Sequence, residues 1–331
     1  MNLVRLRAAA RFDSGWWRRF AELGAVYSPE WFKRGSPPLV AAIIYSIARD
    51  HRSAVLRNQR QVRGPSGWLR ERWNAYRVFA ECARSMTESL EQWGPRPPRI
   101  ALEVPDQEVF RAALAEGRGL VIPTAHFGGW EVGARFLSDF GRPVNLVTAH
   151  EPNPTARDFI HRLRSRHGVN VIYSDRSVFA GLPVLQALRR NEVIGMQIDP
   201  WGRPQGAQAI DFCGRPAQFQ VGPFAIARVA RAPLIPVFAV RTGLRRYEMR
   251  TPGRFDPHTP AGSAAAFTAT VRAFERLVRE CPAQWLMFDD VWGEPPARTA
   301  SAPAFRPEVG RRSALAGVVR SNARAMLRRP D

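Results

Sequence analysis

The chain has 331 residues, enough for one large domain or two small ones around a substantial core. Hydrophobic residues make up 45% and charged residues 24%, which excludes disorder over the whole length. Lys+Arg total 49 against 29 Asp+Glu, a net charge of +20, and only Lys33 is a lysine. A GC-rich genome alone accounts for an arginine bias. The net charge points further, to polyanions: nucleic acid, anionic lipid headgroups or acidic carriers. Three scattered cysteines (Cys82, Cys213, Cys281) exclude a disulfide framework and a zinc site and suggest a reducing compartment.

Residues 1–98 read as a helical, basic, tryptophan-rich region. Its first residues, Met-Asn-Leu-Val-Arg-Leu-Arg, carry no signal-peptide h-region. Ser28-Pro29-Glu30 is a helix-start signal with Ser28 as N-cap. The longest apolar run, Leu39 to Ala48 after Pro37-Pro38, is well short of the roughly 20 residues needed to span a bilayer. The expectation is a cytosolic chain that lies on a membrane without crossing it. Trp16, Trp17 and Phe20 beside Arg11, Arg18 and Arg19 fit either an interfacial anchor or a core-packing helix with exposed arginines. Gly64-Pro65-Ser66-Gly67 is a breaker, a helix is expected from Trp68 to Trp93, and Gly94–Pro98 is a linker.

From Arg99 the pattern changes. Strand-like runs at 100–104, 120–123, 144–148, 169–173, 193–198 and 234–240 alternate with helical stretches at 107–116, 130–140, 153–167, 178–190 and 222–231. Such alternation predicts an α/β domain over 99–293 with a mostly parallel central sheet flanked by helices. Ala261–Glu280 closes it as one long helix. The Pro-, Ala- and Arg-rich tail, 294–331, is expected to be flexible and basic. Within it, 311–329 reads as a weak amphipathic helix for an anionic membrane or as a solvated tail.

The densest polar cluster is Pro123-Thr124-Ala125-His126-Phe127-Gly128-Gly129-Trp130-Glu131, at a strand-to-helix turn. Gly128 and Gly129 allow a tight turn and close approach to a ligand. Five residues rotate about 500° on a helix, so His126 and Glu131 meet only if His126 precedes the helix and Glu131 sits in its first turn. A carboxylate on one imidazole nitrogen would fix the tautomer and leave the other to take a proton from a hydroxyl. The helix N-terminus could also stabilise an oxyanion. The same pattern fits a capping His and a first-turn Glu favoured by the helix dipole.

His126-Phe127-Gly128-Gly129-Trp130-Glu131 resembles the H-x4-(D/E) core of the lysophospholipid acyltransferase superfamily, nearest to its lipid A biosynthesis (lauroyl/myristoyl) acyltransferase branch, H-x-G-N-W-E. Gly195-Met196-Gln197-Ile198-Asp199-Pro200, Asp211-Phe212-Cys213-Gly214-Arg215-Pro216-Ala217 with Gly222-Pro223-Phe224, Pro233–Phe238 and Pro282-Ala283-Gln284-Trp285-Leu286 resemble later blocks of that branch, in order, over roughly 55–293. The resemblance implies a glycerolipid acyltransferase-like fold and an enzyme moving a fatty acyl group from an acyl carrier protein or CoA thioester to a hydroxyl or amine of a lipid or glycolipid. It needs no metal and no cofactor beyond that co-substrate, and it would act peripherally at the cytoplasmic face of the bacterial inner membrane. His126 would be the general base and Glu131 its orienting partner. Arg176, Asp199, Gly128, Gly129 and Arg215 would contribute to the substrate site.

There are departures from the branch. Gly129 replaces the usual Asn, Gln218-Phe219-Gln220 replaces a Thr-rich run, and Asp289-Asp290 follows the Gln-Trp signature. They bear on the acceptor more than on acyl transfer and leave a non-catalytic member open. The competing class, a nucleic-acid-binding protein, rests on the charge and on aromatics interleaved with arginines, with no helix-turn-helix, RRM or zinc-finger pattern, so no nucleic-acid partner is expected. A hydrolase lacks its G-x-S-x-G or H-E-x-x-H motif.

Overall fold

The computed structural model describes residues 15–92, 94, 97–104, 107–138, 140–149, 169–174, 181–200 and 206–293. The expected tail at 294–331 and the helix at 153–167 lie outside the described residues. Four helices come first: α1 (Gly15–Tyr27), α2 (Glu30–Ile47), α3 (Arg49–Arg63) and α4 (Trp68–Gln92). None of the described helices is long and apolar enough to cross a membrane.

The Ser28 cap is not realised. Ser28 donates its amide to Gly24 and so ends α1, while Pro29, in extended conformation, takes the N-cap position of α2 with no side-chain bond. α2 also runs straight through Pro37-Pro38. A mid-helix proline removes a backbone donor, here those that would serve the Lys33 and Arg34 carbonyls. Further along, α4 holds the helix from outside: Tyr76 donates its hydroxyl to the Pro38 carbonyl at 3.0 Å. α3 buries Ala54, Val55, Asn58, Gln59 and Val62, one face at i, i+4, i+8 spacing. The two amides on that face are anchors. Asn58 donates to the Asp289 carbonyl (2.7 Å) and Gln59 to the Pro282 carbonyl (2.9 Å).

The α/β part follows in the expected alternation: β1 (Ala101–Glu103), α5 (Gln107–Ala115), β2 (Leu120–Thr124), α6 (Trp130–Ser138), β3 (Val144–Ala149), β4 (Val169–Ser174), α7 (Leu182–Arg189) and β5 (Val193–Gln197). Then come β6 (Ala207–Phe212), β7 (Arg215–Gln220), α8 (Gly222–Ala230), β8 (Phe238–Gly243), β9 (Arg246–Arg250), α9 (Pro260–Glu280) and a 3-10 turn at Pro282–Gln284. Strands β2-β5-β3-β4 form a parallel sheet. β2 and β5 are apolar on both faces, as strands covered on both sides are, while β3 and β4 carry Asn145 and Asn170, bonded to each other. The segment before β8 extends that sheet, since Ile235 donates its amide to Val121 and Val237 donates to Pro123.

Three strands lie where no strand was expected. β6 and β7 form an antiparallel hairpin closed by Cys213-Gly214, both at positive φ (56° and 82°). That is the geometry of a tight two-residue hairpin turn, and Cys is an uncommon residue for it. β9 sits between β1 (parallel) and β8 (antiparallel) in a second sheet. Its sequence Arg-Tyr-Glu-Met-Arg alternates, with Tyr247 and Met249 buried.

The core against α9 is aromatic. Phe274 packs at ring distances of 5.1 to 6.4 Å against Phe238, Phe212, Phe127, Trp285 and Phe219. α9 is capped at its start by Thr259, whose hydroxyl accepts the Gly262 amide at 3.0 Å. Thr259→Ala should cost about 1 kcal/mol, and urea titration with the fitted slope unchanged would check it.

Candidate active site

In this sheet the neighbour of β2 is β5, and Thr124 is in register with Gln197. Both strands run in the same direction, so the residues two places beyond each, His126 and Asp199, leave the same sheet edge side by side. Ile198 continues the ladder, donating its amide to Thr124 at 2.8 Å. Sites of open α/β sheets form outside these carboxyl ends. Asp199 is buried, and its carboxylate grips the histidine twice: it accepts the His126 backbone amide (3.0 Å) and sits 3.0 and 3.2 Å from Nδ1. A carboxylate that only accepts in this pairing places a hydrogen on Nδ1. The Trp130 ring stands edge-on to the imidazole, 5.7 Å between centroids.

The turn that carries His126 is fixed from behind. The Gln284 carbonyl accepts the Gly128 amide (2.9 Å), the Ala239 carbonyl on β8 accepts the Gly129 amide (3.0 Å), and the His126 carbonyl accepts from Leu286 (2.8 Å). The Pro282–Leu286 block is thus a backbone clamp on the histidine loop, with the Trp285 ring buried beneath it. Gln284 ties the clamp to β8, its side chain accepting the Arg241 amide and donating to the Arg241 carbonyl.

Gly128 has φ of +52°, and a Cβ there would overlap the Ala239 carbonyl, so only glycine fits. Both glycines are buried with their amides engaged.

Glu131 is half-buried in the first turn of α6, where the helix dipole favours a carboxylate. Beneath Trp130 and Thr124, between α6 and the sheet, lies a small apolar cavity of about 20 Å³ walled by Leu137, Leu146, Val237 and Met249.

Arg176 lies outside the described residues. Arg215 is exposed at the tip of the β6–β7 hairpin. The base of that hairpin is at Gln220, which donates its amide to Ile198. At its other end Phe212, paired with Arg215, packs on Trp285 of the clamp with 5.5 Å between ring centroids. At the tip, Glu275 accepts the Cys213 amide and Gln61 donates to the Cys213 carbonyl. Burial raises all three thiols, Cys213 to about 12 and Cys82 to about 11, so each is protonated at neutral pH and none is a thiolate nucleophile. Among the described residues, no group of three or more His, Cys, Asp or Glu is placed to hold a metal.

Sequence reasoning passed over the residues behind the turn. Ser85 and Glu88 on α4, with Arg241 and Tyr247 on β8 and β9, form a buried polar group. Ser85 donates to the Gly128 carbonyl (2.7 Å), and Tyr247 donates to Glu88 (2.7 Å). The available signal was acidic residues, Glu88 and Glu91, at helical spacing from Ser85 on the buried end of α4.

The chain is 27% identical over 184 residues to the phosphatidylinositol mannoside acyltransferase of Mycobacterium tuberculosis (strain CDC 1551 / Oshkosh), covering 55% of this chain and 57% of that protein. It is 27% identical over 196 residues to the protein of the same name from Mycolicibacterium smegmatis (strain ATCC 700084 / mc(2)155), covering 58% and 62%. It therefore spans about three-fifths of the length of the curated relatives it matches. The family model for the bacterial lipid A biosynthesis acyltransferases matches residues 43–293, a stretch that holds the histidine turn, Asp199 and the Pro282–Leu286 clamp, and the chain belongs to that family.

Proposed function

We propose that this chain transfers a fatty acyl group from a thioester, of acyl carrier protein or CoA, to a hydroxyl or amine of a glycolipid at a membrane surface. The observation that carries the reading is the His126–Asp199 pair at the carboxyl edge of the parallel sheet. Asp199 holds Nδ1–H, Nε2 takes the proton of the acceptor hydroxyl, and the freed oxygen attacks the thioester carbonyl. The C–S bond breaks as the new C–O bond is completed, and the imidazolium returns its proton to the departing thiolate. Asp199 stabilises that imidazolium. Glu131, the carboxylate of the motif, is assigned to orient His126. Arg176 is assigned to the acceptor headgroup. Arg215, exposed on the hairpin, is assigned to a phosphate or to the acyl carbonyl of the substrate.

The names of the relatives support a mannosylated phosphoinositide as the acceptor class. The direct test incubates the purified chain with palmitoyl-CoA or palmitoyl-acyl carrier protein and phosphatidylinositol mannoside, and reads lipid masses. A product heavier by one acyl chain, absent with His126→Ala, supports the reading. Unchanged lipids with both donors would defeat this acceptor, and free fatty acid alone would indicate a hydrolase.

The membrane partner, at the cytoplasmic face of the inner membrane, rests on an exposed apolar surface. Leu39, Ile43 and Ile47 on α2 and Trp68, Leu69 and Trp73 on α4 are each more than half exposed. Trp73 packs on Tyr76 and Tyr76 on Tyr45, which joins the two groups. Arg72 lies over the Trp68 ring, 5.4 Å from its centroid, and α2 carries no charge from Gly35 to Ile47. Trp with Arg at the rim of an apolar strip suits a headgroup region. Ile43→Asp/Ile47→Asp should lower binding to anionic vesicles by about tenfold or more in a sedimentation assay. Undiminished binding would remove this surface from the proposal.

A further inference from the structure

Glu88 is a buried carboxylate on α4, far in sequence from every motif, and it is densely bonded. It accepts the Tyr247 hydroxyl (2.7 Å), Arg241 Nε (3.0 Å) and Nη2 (2.6 Å), and the Arg245 amide (3.0 Å). A buried charge held this way fixes its donors in place. Burial keeps the Tyr247 phenol protonated, so it remains a donor. The Tyr247 ring in turn lies against Gly129, where a Cβ would overlap the ring edge. The backbone of Gly129 is not in the left-handed region, so any residue could adopt it. The tyrosine, and not the main chain, requires glycine there. The circle closes through the loop: Arg241 is held by Gln284, the Gln284 carbonyl accepts the Gly128 amide, and Ser85 donates to the Gly128 carbonyl.

We propose that Tyr247, fixed by Glu88, is a positioning residue: its ring is the back stop of the Gly128–Gly129 turn and sets where the His126 imidazole stands. Tyr247 touches no reacting atom. Its kinetic consequence rests on the acyl-transfer reading, but its structural consequence does not. The pair also gives the helical region a part in the chemistry, because α4 supplies Ser85 and Glu88 to the rear of the catalytic turn.

The test uses the full chain. Tyr247→Phe removes one hydroxyl and keeps the ring, so a tyrosine that only fills space would leave the imidazole unmoved. The expected result is a kcat lower by about 10- to 100-fold, the scale of one bond to a buried charge, with KM unchanged. The His126 ring nitrogen signals should also move in NMR spectra of the unliganded protein. Gly129→Ala should lower the melting temperature and broaden those signals. Tyr247→Val, which has no ring, should make room for the added methyl group, so Gly129→Ala should lower the melting temperature less when made in Tyr247→Val than when made in the wild-type chain. The proposal is overturned if Tyr247→Phe keeps wild-type imidazole signals, or if Gly129→Ala is equally damaging with and without the ring. The NMR and melting measurements need no substrate, so a wild-type chain that transfers no acyl group would defeat the functional reading while they still decide this one.

Discussion

His126→Ala should reduce acyl transfer by about 10³-fold or more, since a positioned general base contributes roughly 10²–10⁴-fold. That loss corresponds to about 4 kcal/mol of barrier. The fold should survive, because the loop is held by main-chain bonds of residues 126, 128 and 129 and not by the imidazole. Asp199→Asn is the sharper experiment. It keeps the volume but replaces a carboxylate with an amide that can donate to Nδ1, which allows the tautomer with the proton on Nε2. A fall of about 10²–10³-fold is expected, with the melting temperature little changed. Glu131→Gln should cost less than Asp199→Asn if Asp199 is the carboxylate that sets the tautomer, and more if Glu131 does. Steady-state kinetics on the three variants, with circular dichroism as the fold control, separates these outcomes. Turnover retained in His126→Ala would end the general-base assignment.

The largest expected stability effect is Phe274→Ala, which should destabilise the chain by about 4 kcal/mol, within the roughly 3–5 kcal/mol range for buried aromatics. The ring is fully buried and is the common neighbour of aromatics from the histidine loop, the β6–β7 hairpin, β8 and the Pro282–Leu286 clamp. No single neighbour can relax into the space, so the lost contacts are not recovered. A fall in melting temperature on the order of 10 °C is expected by calorimetry. Phe274→Leu should cost roughly 1–2 kcal/mol, because most of the volume remains. If the two variants melt together, the aromatic cluster is not the rigid centre described. Phe127 is next to His126 and packs on Phe274, so Phe274→Ala should also lower turnover at temperatures where it is still folded.

Much of the α/β order was legible. The runs at 120–123, 144–148, 169–173 and 193–198 became β2 to β5 with ends displaced by a residue or two, because buried parallel strands are continuous apolar runs with clear edges. The β6–β7 hairpin was not legible, because its turn places Cys213 at positive φ where Gly, Asn or Asp would have marked it. β9 was hidden by its charges, since its two core residues, Tyr247 and Met249, are interleaved with Arg and Glu.

The motif around His126 identified the turn and its histidine by residue type and spacing, which are local properties of a chain. Asp199 was placed at the site by resemblance, but its bond to Nδ1 depends on the order of strands in the sheet. That order puts β5 beside β2 although β3 and β4 lie between them in sequence. The Ser85–Glu88–Tyr247 support has the same origin, since Glu88 and Tyr247 stand 159 positions apart in the chain. Residue type and spacing travel with the chain, so the sequence alone determined the elements, the turn and the family resemblance. That Asp199 reaches the imidazole, and what stands behind the turn, were decided only by tertiary packing, because long-range pairing is set by the sum of burial over the whole core and leaves no local mark.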